Sequence, residues 1–442
     1  MNDDASTDDV QTWDLTPKII PFLDRHHVLL LLSFLEENRI YDEGDIKLAK
    51  YNLLKSSNMI DLLIEIHASI YGDDNIPQEM KEKREKVLQQ NEVLQNAAIP
   101  LLKLIQDINM VKSLHENKQY TMSYLEEYYS ITSAHLSALY DLAKFKYECG
   151  DYATAADYLM HFRELSSDPE LHLHALWGRL AVYILLQYWD DALVTVNLIR
   201  DTIDHTTNTS PLVQLQQRTW LIHWSLFVYF SNLSVCSQCI ELFSNDRYYG
   251  TIQTTCPYIR RYLAVALIIT KKRKTIKDIQ KIVEHGWNTY SDPITQFTEA
   301  LFVQFDFELA DQILVQCEKV FEQDYFLYPF KEEFMQSARL SALEIYFKVH
   351  NCFVTKKLGM DFETSEEWIA SLIRNFKLNA KIDSQAGQVF IGPRPSVYQQ
   401  LIDRTREWAM RFLMFSGSFD RGKNLKNRER GRETSAKDPV IT

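Results

Sequence analysis

The chain has 442 residues, 46% hydrophobic and 24% charged, with 48 basic against 60 acidic residues and a formal charge of −12. Such a composition fits a folded soluble protein, and its acidity opposes general attraction to nucleic-acid phosphates, so RNA contact would need a local basic patch. Twelve Gly and twelve Pro are too few for the turns of a large β protein, which points to helices.

Residues 1–13 read as a short disordered leader, without the basic-then-apolar order of a secretory signal. From Ile19 the apolar positions Phe22, Leu23, His26, Leu29, Leu30 and Phe34 recur at helical spacing, with Pro21 in the first turn. Residues 14–135 are expected to form an N-terminal helical region. Within it Gln78 to Gln95 is charged and Gln-rich, the pattern of an exposed helix or linker.

Residues 136–350 carry a weak repeat. An aromatic precedes Ala by three positions at Tyr152–Ala155, Trp189–Ala192 and Phe307–Ala310, each time between two helical patterns. A tetratricopeptide-like hairpin uses such a pair, the aromatic wedged between helices and the Ala letting backbones approach. This predicts Tyr152, Trp189 and Phe307 as buried wedges. The segment Arg218 to Phe230 is apolar almost all round and must be covered on most sides, so it should be the solenoid's centre.

After Asn351 the pattern changes. Cys352 to Leu358 reads as a short helical stretch, followed by a turn at Gly359-Met360. Thr364 to Glu367 is a capping box that opens a helix burying Trp368, Ile369, Leu372, Ile373 and Phe376. Two alternating segments, Ala380 to Asp383 and Gln388 to Ile391, flank a plausible hairpin loop. Residues 351–392 therefore have the outline of a winged helix. The wing strand Gln388 to Ile391 is expected to leave an edge open to a partner's strand, which makes Val389, Phe390 and Ile391 candidate interface residues. A last helix over 396–415 places Val397, Leu401, Ile402, Trp408, Phe412 and Leu413 in a stripe. Little of its own domain is left to cover that stripe, so Leu401, Trp408 and Phe412 are candidate docking residues for other proteins. Residues 421–442 are polar and mostly basic and should be disordered.

Features that could carry chemistry have simpler structural readings. Cys236 and Cys239 have metal-knuckle spacing without a second ligand pair, so they read as two thiols sharing a helix face. His26, His27 and His223 stand among apolar residues and read as hydrogen-bonded structural rings, while His172 and His174 face different ways on a helix. The six scattered cysteines, at 149, 236, 239, 256, 317 and 352, suit a reducing compartment. No Asp or Glu sits in the apolar setting that tunes an acid–base pair, and no nucleotide-binding or nucleophile motif occurs. The sequence thus nominates no catalytic residue, no metal site and no cofactor. Lys271-Lys272-Arg273-Lys274 could touch RNA or act as an import signal, and otherwise is a solvated loop. The apolar runs Val28 to Leu32 and Leu263 to Ile269 fall far short of the ~20 residues of a membrane span, so a cytoplasmic, membrane-free protein is expected.

Helical repeats running into a winged helix resemble the PCI-domain family. The strings FLDRHHVLLLLSFL (from Phe22), LAKFKYECGDYATAADYL (from Leu142), SPLVQLQQRTWLIHWSLFVYF (from Ser210), DPITQFTEALFVQFDF (from Asp292) and WIASLIRNFKLNAKIDS (from Trp368) are similar to the E-subunit family of eukaryotic translation initiation factor 3. The likeness fades in Gln78 to Tyr120, around Phe326 to Glu333, and beyond Arg404. The resemblance implies an all-α fold: a TPR-like helical-repeat solenoid followed by a winged-helix (PCI) module with a small β hairpin and a C-terminal helix. It also implies a non-catalytic scaffold. Its partners would be other subunits of that factor, especially PCI-domain ones, and the small ribosomal subunit, with mRNA or ribosomal RNA reached indirectly. The same fold serves subunits of the proteasome lid and the signalosome, the nearest competing reading. A nucleic-acid-binding winged helix is the alternative of another class, disfavoured by Glu366 and Glu367 at the start of the recognition helix.

Overall fold

The helices begin where the chain supplies a cap or an obligatory turn. In a computed structural model the described residues are 13–72, 77–166, 168–206, 210–270, 290–349, 352–354, 380–383, 388–391, 398, 401–402, 404–406 and 408–412. They belong to two compact units, Met1–Ala342 and Leu343–Thr442.

The first unit is helical throughout its described residues. It opens with α1 (Thr16–Ile19), a 3-10 turn over Ile20–Phe22, α2 (Arg25–Glu37), α3 (Glu43–Lys55), α4 (Ile60–Tyr71) and α5 (Gln78–Gln106). Then come α6 (Ile108–Glu116), α7 (Met122–Tyr129), α8 (Ser133–Glu148), α9 (Tyr152–Leu165), α10 (Pro169–Leu185), α11 (Trp189–His205) and α12 (Pro211–Tyr229). It continues through α13 (Leu233–Phe243), α14 (Asp246–Thr255), α15 (Arg260–Thr270), α16 (Pro293–Glu299), α17 (Phe307–Gln323) and the part of α18 (Lys331–Val349) up to Ala342. From α8 to α13 each helix packs on the next, and α5 packs along α8.

One detail at the start differs from expectation. The first long helix does not open at Pro21; the chain turns extended at Leu23 and restarts at Arg25, where the Asp24 carboxylate accepts the His26 amide. The charged stretch from Gln78 is helical, as its pattern allows, and is mostly exposed as far as Ala97.

The three aromatic–Ala pairs share one device. Tyr152, Trp189 and Phe307 are each the first residue of a helix, and the residue two positions earlier has positive φ: Gly150 at 90°, Gln187 at 60° and Phe305 at 57°. The left-handed residue reverses the chain in two steps, and Asp151 and Asp306 then cap the new helices. Gly150 is required twice, since a Cβ there would also lie 3.1 Å from Met59 Cε. Ala155, Ala192 and Ala310 are buried. The aromatics are only half-buried, contrary to the expected deep wedges, because a helix's first residue lies at the rim of the crossing while the Ala lies one turn inside it.

The N-terminal segment is built into the middle of this unit. The Trp224 indole donates to the Phe22 carbonyl (3.0 Å), and the Phe22 ring stacks on His223 at 4.4 Å. Tyr147 donates to Asp24 (2.6 Å), His26 Nδ1 lies 2.9 Å from the Tyr152 hydroxyl, and His27 Nε2 meets the Ala181 carbonyl (3.3 Å). Farther on, Phe34 packs edge-on against Tyr325 and Tyr328. Helix α12, expected to be the centre, supplies much of this floor and is buried along most of its second half.

Beneath α1 lies a buried ionic cluster. Arg261, 1% exposed, donates through Nε to Asp292 (2.6 Å), through Nη1 to Asp324 (3.3 Å), and through Nη2 to the Trp13 carbonyl (2.9 Å) and Tyr290 (3.1 Å). Tyr262 donates to Asp324 (2.9 Å), whose other oxygen accepts the amides of Phe326 and Leu327. Asp292 also caps α16 through the Thr295 amide (2.7 Å). Both carboxylates are buried, which the sequence did not signal, and both are tied to Arg261. Burial alone would lower the Arg261 pKa, but Asp292, Tyr290 and Asp324 outweigh it and hold the guanidinium charged. Burial pushes the Asp324 carboxyl up, with Arg261 and the donors around it acting against that.

The second unit contains a three-stranded antiparallel sheet in the order β1–β3–β2, with β1 at Cys352–Val354, β2 at Ala380–Asp383 and β3 at Gln388–Ile391. Both strands expected from alternation are present. Cys352 to Val354, expected to start a helix, is instead a strand that pairs with β3 through Phe353 and Val389. Its residues, Cys-Phe-Val, suit an extended edge better than a helix. The expected helix from Thr364 lies outside the described residues.

Two outcomes follow for the first unit. Arg261→Met leaves two carboxylates buried without their cation and should cost about 3–5 kcal/mol, read as a lower denaturation midpoint. The second concerns pH. Burial, partly opposed for His27 by Asp24 and by its bond to Ala181, lowers His27 from 6.5 to about 4, and burial does the same to His223. The unfolded chain therefore takes up these protons first, so stability is full above about pH 6.5 and falls towards pH 4. The loss should be roughly 3 kcal/mol per ring, measured by urea denaturation across that range.

Candidate interaction surfaces

Among the described residues, several strongly exposed apolar side chains cluster in the last helical segments. Helical backbone is present at 398, 401–402, 404–406 and 408–412, and every one of those residues is exposed. Leu401 is 65% exposed, Trp408 73% and Phe412 75%, with Tyr398 at 82%. Residues 401, 408 and 412 fall within a narrow arc of a 3.6-residue helix, and Tyr398 continues it. Ile402 and Met410 are exposed outside that arc. Val397 and Leu413 lie outside the described residues. An aromatic and aliphatic stripe this open to water is a patch that apolar cover would stabilise.

The wing is arranged differently from the expectation. Strand β3 is the central strand: Val389 is paired with Phe353 on one side and Ile382 on the other, and Phe390 with Cys352 and Lys381. An open edge at Val389 and Phe390 is therefore ruled out by β1, whose strand character the sequence hid, while Ile391 is paired with Ala380 of β2. The outer strands among the described residues are β1 and β2, and β2 is the longer. Strand addition from a partner would have to use one of those.

Elsewhere the polar groups singled out from sequence have structural partners. Cys236 and Cys239 lie on one face of α13, fully buried; burial pushes the Cys236 thiol up to about 12 and the Cys239 thiol well above its usual value, so neither offers a thiolate. His223 is held between the Thr219 carbonyl and the Tyr258 hydroxyl, each at 2.7 Å. Among the described residues no group of three His, Cys, Asp or Glu side chains could hold a metal ion, and no helix is long and apolar enough to cross a membrane. The basic run Lys271, Lys272, Arg273 and Lys274 lies outside the described residues. The Arg261 cluster went unread in the sequence. The only local signal was Asp292-Pro293-Ile294-Thr295, a capping box, which tells that Asp292 is engaged but not with what.

Comparison with known proteins adds identity to geometry. The family model described as eIF3 subunit 6 N terminal domain matches residues 14–146, and the PCI domain model matches residues 310–393. The chain is 41% identical over 413 residues to a protein of Arabidopsis thaliana, covering 90% of this chain and 94% of the relative. A Bombyx mori relative is 38% identical over 433 residues, covering 94% and 97%, and an Aspergillus niger relative is 40% identical over 408 residues, covering 89% and 90%. All three are named as the E subunit of eukaryotic translation initiation factor 3.

The sheet order makes a direct prediction. Val389→Pro puts a ring into a strand paired on both sides, which should cost about 1 kcal/mol or more and speed exchange of those amides of β1 and of β2 that bond to β3. Acceleration on one side only, measured by hydrogen exchange, would contradict the central position of β3.

Proposed function

Because the chain belongs to the E-subunit family of eukaryotic translation initiation factor 3, we propose that it is a non-catalytic scaffold of that multisubunit factor. It supports the factor's assembly, its binding to the small ribosomal subunit and formation of the preinitiation complex. The observation that carries this reading is the uncovered stripe of Leu401, Trp408 and Phe412 on a chain whose Cys236, Cys239 and His223 are buried. Hydrophobic area left open in the free chain becomes binding free energy once a partner helix covers it, and aromatic anchors contribute most.

Its partners are other subunits of the factor, PCI-domain subunits foremost, with the C-terminal stripe entering a helical bundle and an outer strand of the sheet extending to a neighbour. RNA is reached through the assembly, or by Lys271, Lys272, Arg273 and Lys274 if that run makes a contact of its own. The cytoplasm is the compartment in which such an assembly works. Membership of the initiation-factor family, at about 40% identity across nearly the whole chain, weighs against the proteasome lid and signalosome readings.

Affinity purification with quantitative mass spectrometry tests the role: the chain should recover the factor's other subunits in stoichiometric amount together with small ribosomal subunits. Recovery of proteasome lid subunits without initiation factors would refute it. Removing residues 396–442 should leave the first unit's melting temperature unchanged while recovery of the other subunits falls by roughly tenfold, the loss of a small cluster of buried aromatic anchors. Assembly as complete as that of the full chain would remove the helix from the interface.

A further inference from the structure

Helix α12 carries one stripe whose two ends differ. Val213, Gln217, Trp220, Trp224 and Phe227 follow one another at helical steps of four and three, so they share a face. Toward the helix C-terminus the chain's own N-terminal segment covers that face. The Trp224 and Phe227 rings lie 4.9 Å and 5.4 Å from His27, and the Trp224 indole donates to the Phe22 carbonyl. Toward the helix N-terminus the face is open, with Trp220 38% and Val213 40% exposed. Trp177 of α10 joins the two ends: its ring stands 5.1 Å from Trp224 and 6.4 Å from Trp220, edge to face with both. One turn farther along α10, the Ala181 carbonyl meets His27. Trp177 and Trp220 thus form a ledge that continues the bed of the N-terminal segment toward the starts of α10 and α12.

The covered part shows what chemistry this bed receives. Phe22 stacks on His223 at 4.4 Å, its carbonyl takes the Trp224 N–H, and the His27 ring meets a backbone carbonyl. The ledge repeats that equipment. Its two indole N–H groups are open to water and have no protein partner among the described residues. The segment Pro211 to Gln217 contains no charged residue, and Glu170, two turns before Trp177, marks the ledge's far end. Unused donors beside bare rings match a ring and a carbonyl, whereas the uncharged rim offers a charged side chain little to offset its desolvation. We propose that the Trp177–Trp220 ledge docks a short uncharged segment of a partner protein, one that presents a phenylalanine-like ring beside a free backbone carbonyl. Ile20 to Leu23 provide the intramolecular template for such a segment. Stacked nucleobases are the poorer fit, because a nucleic-acid strand needs a basic track along its phosphates and Pro211 to Gln217 supplies no cation. The ledge rests on the scaffold reading and adds a second attachment surface to it, on the repeat unit.

Fluorine NMR of the full chain carrying 5-fluorotryptophan tests this, with signals identified through W177F, W189F and W220F. The probe is acetyl-Ile-Pro-Phe-Leu-amide, the sequence of residues 20–23. It should shift the Trp177 and Trp220 signals and leave that of Trp189, at the start of α11, in place. Peptides with Glu or Lys in place of Phe should bind roughly tenfold more weakly, as loss of an aromatic anchor implies. V213E should weaken binding of the phenylalanine peptide to a similar degree at an unchanged melting temperature, since Val213 already faces water. No shift at either ledge tryptophan, an equal shift at Trp189, or equal binding of the Phe and Lys peptides would overturn the site. Larger shifts with single-stranded oligouridine than with the phenylalanine peptide would overturn a protein segment as its occupant. No other subunit enters the measurement, so failure here leaves the scaffold role standing, and that role fails only in the purification experiment.

Discussion

A single guanidinium fixes where the chain begins relative to where the repeat unit ends. Arg261 reaches back to the carbonyl of Trp13 and forward to Asp292 and Asp324, residues separated by more than half the chain. Its five N–H donors fit this task because a planar fork can satisfy oxygens in several directions at once, which a lysine ammonium could not do with the same geometry. The cluster sets one positive charge against two carboxylates, and the excess negative charge is borne by phenol and backbone donors: Tyr262, Tyr290, and the amides of Thr295, Phe326 and Leu327. In a dry interior such a network gives little net stability over a hydrophobic core, yet it penalises any other arrangement of its members severely. Its effect is therefore registry: the N-terminal segment can lie along α12 in one position.

The rest of the helical unit follows from that registry. With Trp13 held, the carbonyls of Lys18 and Phe22 come within reach of Tyr258 and Trp224, and the rings of Phe22, His26 and His27 enter an aromatic floor laid by α8, α9, α10 and α12. The tight left-handed turns before Tyr152 and Trp189 present those helix starts at regular intervals, and the small Ala one turn later lets neighbouring helices close. Tyr152 shows why its ring is only half-buried. Its hydroxyl faces His26, so the residue that begins a repeat helix also receives the N-terminal helix.

Local periodicity made much of this legible. The spacing of apolar residues marked α8 and α9 to within a few residues, the all-round apolar α12 announced its own burial, and alternation marked β2 and β3. Long-range pairing was not legible. Nothing local to Arg261, which stands at the start of an apolar run, says that Asp324 lies beside it, because 63 residues of chain intervene. The strand β1 was hidden for a related reason. Three residues are too few to show a period, and only the presence of β3 alongside makes Cys352 to Val354 extended, so the open edge expected at Val389 was a consequence of one missing partner. The C-terminal stripe was legible because exposure there needs no pairing: helical spacing suffices, and the described residues show it uncovered.

Saturation in one part of the chain and deficit in another define what kind of molecule this is. The first unit satisfies one of its most demanding buried groups internally, a guanidinium with four named acceptors. The C-terminal helical residues have the opposite character, since Leu401, Trp408 and Phe412 stand exposed to water. Apolar rings left in water carry a free-energy cost that the Arg261 cluster, bonded on every side, does not, so any contact that covers them gains what the cluster has already gained within its own unit.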